Sequence, residues 1–141
     1  MLQNDLTLLA QQQQLGRLIF IGLSELQQQR LAQQYQQLQS LKQRPKNYLN
    51  RYDQLFRLVS IWLLKQGWDF TQFQPHQVLQ EVMELLCPNT QAYRVVQHRH
   101  RLKKKICLRP DAVAEQDVKI MQHHLRQLLQ LYQDMDNMRA G

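Results

Sequence analysis

Apolar and polar positions along this chain alternate with the period of a helix almost throughout. From Leu2 to Leu23, apolar residues fall at Leu2, Leu6, Leu9, Leu15, Leu18 and Ile19 around the tract Gln11 to Gln14. Spacings of three and four predict a helix, with Asn4 as its N-cap, weakened at Gly16 and Gly22. Ser24 followed by Gln27 has the form of a capping box, so a second helix is expected to start at Ser24. It would run to about Lys42, with Leu31, Tyr35, Leu38 and Leu41 or Lys42 on one face and Gln over most of the remainder. Such glutamine tracts are expected on exposed helix faces. Pro45 disfavours helical geometry at Arg44 and marks a boundary, giving a Gln-rich helical arm or hairpin over 1–44 and a bundle over 45–141.

The segment from Tyr48 to Gln66 is the most apolar, with Leu49, Tyr52, Leu55, Phe56, Leu58, Val59, Ile61, Trp62, Leu63 and Leu64 spread around nearly every side. That distribution predicts a central helix surrounded by others, ended by Gly67. A loop from Asp69 to Gln74 follows, then a helix opened by Pro75, burying Val78, Leu79, Val82, Met83 and Leu86 and stopped by Pro88. Asn89 or Thr90 would cap the next helix, whose apolar positions are Tyr93, Val96 and His100 on one side and Val95, Leu102 and Ile106 on the other. After the turn Arg109-Pro110-Asp111, a last helix from Ala112 to Met138 carries the seam Val118, Met121, Leu125, Leu128, Tyr132 and Met135. The prediction is an all-α fold: a bundle of four to five helices with an N-terminal helical arm and almost no sheet.

Composition narrows the function classes. Lys and Arg number 18 against 11 Asp and Glu, for a net charge of +7, so polyanionic partners are physically favoured. Asn4 and Asp5 occupy the place of a signal peptide's basic region, and no apolar run reaches the roughly 18 residues of a membrane span. The expectation is a soluble, cytoplasmic protein without membrane contact. Cys87 and Cys107 lack CxxC spacing, and His98 with His100 are two apart on a helix, pointing away from each other, so no metal site is expected. The four glycines are isolated, which excludes a phosphate-cradling loop, and no cofactor is expected.

The excess positive charge is concentrated in YRVVQHRHRLKKKICLR, from Tyr93 to Arg109, where no acidic residue intervenes between Glu84 and Asp111. Its self-repulsion is relieved by an anion, and Arg94, Arg99, Arg101, Lys103, Lys104 and Lys105 are the candidate nucleic-acid or anion-binding residues. The catalytic chemistry such a set could support is metal-independent RNA cleavage, with Arg stabilising charge on phosphate and His moving a proton.

The order of elements resembles that of HEPN domains, small all-α modules. It comprises the core helix ending at Gly67, the helix opened by Pro75-His76-Gln77-Val78-Leu79, the Arg-dense helix ahead of Pro110-Asp111 and the final helix. The resemblance covers about 48–135. It implies a four- or five-helix bundle, a homodimer and, in many members, RNA cleavage by an Arg, usually followed by a polar residue, with a His four to six residues further on. Arg94 and His100 meet that spacing, with Val95 in place of the polar residue. Counted back from Pro110-Asp111, Arg101 would instead be the motif arginine, with Ile106 or Cys107 where His is needed, which implies an inactive site. Three functions are therefore weighed: a non-catalytic HEPN-like module binding RNA, another polyanion or a protein; an active ribonuclease; and a helical adaptor working through its N-terminal arm. Sequence-specific DNA reading is weaker, since no positioning helix with a tight Gly turn precedes the basic helix.

Overall fold

The computed structural model describes residues 3–88, 91–104 and 115–140. Elements run α1 (Gln3–Gln14), β1 (Leu18–Phe20), α2 (Glu25–Leu41), α3 (Tyr48–Lys65), β2 (Trp68–Phe70), α4 (Pro75–Leu86), α5 (Ala92–Lys103) and α6 (Glu115–Ala140). The class is all-α. Six helices occupy the described residues, where four to five were expected in the bundle, together with one two-stranded sheet.

Everything is arranged about α3. Its N-cap Asn47 accepts the Asn50 amide at 2.8 Å, and every residue from Leu58 to Leu64 is buried. A helix apolar on all sides must be surrounded. Accordingly α2, α4, α5 and α6 all pack on it, and α5 and α6 also touch each other. Met121 and Leu128 of α6 are buried on the seam that the three-and-four spacing predicted, and His124 between them is fully buried as well.

The N-terminal third is built into the same core. Leu9, Leu18 and Leu38 are buried in one cluster with Tyr52, Leu55 and Val78, so α1, β1 and α2 pack onto the main core. Its glutamines explain why. Gln12, Gln27 and Gln34 are buried, and each is bonded. Gln12 donates to Glu81 at 2.7 Å, Gln27 donates to the Leu64 carbonyl at 2.9 Å, and Gln34 accepts from Arg57 at 3.1 Å. The expected capping box is half formed: Ser24 accepts the Gln27 amide at 3.1 Å, while the Gln27 side chain serves the end of α3 instead of turning back.

The largest departure from the sequence expectation lies between Leu15 and Phe20. The predicted helix stops at Gln14, beyond which Gly16 has φ +75, and Leu18–Phe20 pairs antiparallel with Trp68–Phe70, of which Asp69 and Phe70 are expected in a loop. The register sets Phe20 against Trp68, with ring centroids 5.1 Å apart. Asn4, expected as the N-cap of α1, falls inside the helix, which begins at Gln3. The last helix runs to Ala140, past the expected end at Met138. The proposed cap at Asn89 or Thr90, the Arg109-Pro110-Asp111 turn, Ile106 and Cys107 lie outside the described residues.

Gly67 joins α3 to this sheet. Its φ is +91, its carbonyl accepts the amides of Ile21 and Gly22 at 2.8 and 3.1 Å, and a Cβ there would meet the Phe20 ring at 2.8 Å and the Gly22 backbone at 3.0 Å. Both the left-handed conformation and the close approach require glycine. Gly67→Ala is expected to lower the unfolding free energy by about 1–3 kcal/mol, measured by urea denaturation, with Gly16→Ala costing less because open space surrounds that position.

Candidate functional site

Helix α5 begins directly after Gln91, which takes a left-handed conformation with φ 54 and makes no side-chain cap. Its inward stripe is narrow: Ala92, Val95 and Leu102 are buried, and the Tyr48 hydroxyl donates to the Val95 carbonyl at 3.3 Å. The His98 ring meets Tyr48 edge-on at 6.1 Å. Tyr93 and His100, expected on an apolar side, are exposed.

The cationic candidates separate into two groups. Arg101, Lys103 and Lys104 are exposed and Arg94 is half-buried, whereas Arg99 turns inward, its guanidinium 5.6 Å from the centroid of the Tyr52 ring. Lys105 lies outside the described residues. Arg94 and Arg101 are separated by two helical turns and so share nearly one meridian of α5. The ion pairs found among the described residues, Arg17 with Glu81 at 3.2 Å and Arg30 with Asp69 at 2.8 Å, belong to other elements. Within that set no carboxylate pairs with Arg101, Lys103 or Lys104. Cations in the last turn do favour the negative end of the helix dipole, which accounts for part of their placement.

Arg94 and His100 do not converge in one copy. Six positions along a regular helix put them about 120° apart around the axis and about 9 Å apart along it. The chain instead brings together Tyr52 of α3, His76 of α4 and Arg99 of α5. His76 sits in the first turn of α4 behind Pro75, with Nδ1 2.8 Å from the Tyr52 hydroxyl and its ring against Phe56 at 5.4 Å. Tyr52 is 1% exposed, and burial raises its phenol well above the ordinary range. A buried neutral hydroxyl bonded to this one nitrogen donates to it, which assigns the proton of neutral His76 to Nε2. His76 thus presents a donor on its other side.

Nothing in the residue spacing links Tyr52, His76 and Arg99, which come from three separate helices. The available signal was Tyr48 and Tyr52, one helical turn apart, with hydroxyls that require partners in a core helix. Among the described residues, no group of three His, Cys, Asp or Glu side chains is placed to hold a metal ion, and no helix is long and apolar enough to cross a membrane. Cys87 is buried, which pushes its thiol up and away from reactivity.

Burial, reinforced by Arg99 and His100 and opposed by Asp53, holds His76 below the ordinary histidine value. The unfolded chain therefore takes up this proton first as pH falls through about 6.5, and stability declines from there until His76 itself titrates. Urea melts of wild type and His76→Gln are expected to show a difference in unfolding free energy that shrinks between about pH 7 and pH 5; a difference that grows on acidification would mean a raised value. Compared with known proteins, the chain matches no family model, no curated protein and no solved structure.

Proposed function

We propose that this protein is a non-catalytic, HEPN-like helical module that binds RNA through the outward face of α5. The observation that carries the reading is the exposure of Arg101, Lys103 and Lys104 with no carboxylate paired to them among the described residues. Arg94 continues the same meridian toward the start of the helix. A convex rod of cations suits a phosphate backbone, in which successive charges are met by successive helical turns. The likeness in helix order to HEPN domains supports the same direction, and with it a homodimeric assembly.

Binding is favoured over cleavage because Arg94 and His100 face apart and because the alternative register offers Arg101 with no histidine at Ile106 or Cys107. A dimer that joined one copy's Arg94 to the other's His100 would restore the ribonuclease reading. The packing of Leu9, Leu18 and Leu38 into the shared core weighs against an adaptor whose N-terminal helices act alone.

Fluorescence anisotropy with a labelled single-stranded RNA is expected to show binding whose log-log salt slope falls by about 0.7 for each phosphate contact removed, hence by about 2 in the triple variant Arg101→Gln, Lys103→Gln, Lys104→Gln. Binding that is absent at low salt, or indifferent to salt, would sink the reading. The RNA is expected to stay full length on prolonged incubation. Cleavage that disappears in His100→Ala would establish the ribonuclease instead.

A further inference from the structure

A cavity of about 510 Å³ opens on a different side of α3, between the α2–α3 connection, the first turns of α3 and the middle of α6. Five cations line it: Lys42, Arg44 and Lys46 from the connection, Arg51 from α3 and Arg126 from α6. No carboxylate is among the lining residues. Asp53 belongs to a smaller neighbouring cavity that Arg44 also lines. The rest of the wall is in part apolar, with Leu41, Pro45, Leu125 and Leu129. Asn50 donates to the Pro45 carbonyl at 2.7 Å, which fixes the corner carrying Arg44 and Lys46. The positive end of the α3 dipole faces the same corner, through Asn50 and Arg51 in its first turn.

Cations drawn from three elements into one concavity repel one another and focus a positive field there, so an anion stabilises the arrangement. The volume is that of a small-molecule site, whereas α5 is convex. Guanidinium groups arriving from separate elements match a phosphoryl group, whose oxygens also point in several directions, better than a planar carboxylate. The leucines call for an apolar portion on the same molecule.

We propose that this cavity binds a small organic phosphate, its phosphoryl group held by Arg51 and Arg126 and its apolar portion lying on Leu125 and Leu129. The proposal stands independently of RNA binding by α5. Isothermal titration with phenyl phosphate is expected to show saturable binding, tighter than that of inorganic phosphate. Arg126→Gln and Arg51→Gln are each expected to weaken it by about tenfold. The α5 variant Arg101→Gln, Lys104→Gln is expected to leave it unchanged, and Arg126→Gln to leave RNA affinity unchanged. Arg126 is exposed, so its replacement does not endanger the fold, which circular dichroism verifies. Four results would each overturn the proposal: no saturable binding, equal affinity for the two anions, undiminished binding in the Arg51→Gln, Arg126→Gln double variant, or RNA affinity falling in step with phenyl phosphate affinity in Arg126→Gln.

Discussion

A helix with no solvent-facing side over Leu58 to Leu64 imposes the architecture of this protein. Four other helices must each give it an apolar face, and α2 and α6, the longest of them, lie along it. Burial of that segment is the dominant favourable term, since each fully buried Leu, Ile or Val contributes about 1.5–3 kcal/mol relative to exposure. The polar ends of α3 are then secured by side chains from elsewhere: Asn47 at its start and Gln27 of α2 at its finish. The cationic helix and the cation-lined cavity are both mounted on this one rigid element. Tyr48 and Tyr52 carry α5 on one side, while Asn50, Arg51 and Gln54 face the cavity.

Glutamine does work here that charge performs in many helical proteins. A buried amide needs partners, but it carries a smaller desolvation cost than an ion. Gln12, Gln27 and Gln34 each reach across a helix interface to one, in two cases an ionised side chain. Gln12 also accepts from Arg17 at 3.1 Å, so Arg17, Glu81 and Gln12 form a network joining the end of α1 and the α1–β1 connection to α4. The carboxylates that pair with cations among the described residues, Glu81 and Asp69, serve Arg17 and Arg30 and not α5.

The helices of the bundle were legible because their signals are local: the all-round apolar pattern of α3, Gly67 after it, Pro75 ahead of α4 and the seam of α6. The sheet was not. Leu18-Ile19-Phe20 carries the spacing of a helix, and only its pairing with Trp68–Phe70, half a hundred positions away, makes it a strand. The site divides in the same manner. The charge on α5 was visible in composition, but Arg99 turns inward because it lies between Val95 and Leu102 on the buried stripe, a placement that depends on which face α3 takes. The Tyr52–His76–Arg99 cluster draws on three helices and leaves no motif in the chain. The cavity is likewise assembled from a connection, a helix start and a helix middle, so its cations read in sequence as scattered surface charges.

The antiparallel pairing of β1 with β2 also governs the order in which the molecule can be completed. Leu9 and Leu18 have nowhere to bury until α3, β2 and α4 exist, because the surfaces that cover them come from those later segments. On a growing polypeptide the first strand must therefore wait, its apolar side uncovered, while some fifty further residues are added. Long-range closure of this kind is slow compared with helix formation, so docking of α1 and β1 follows formation of the helices that receive them.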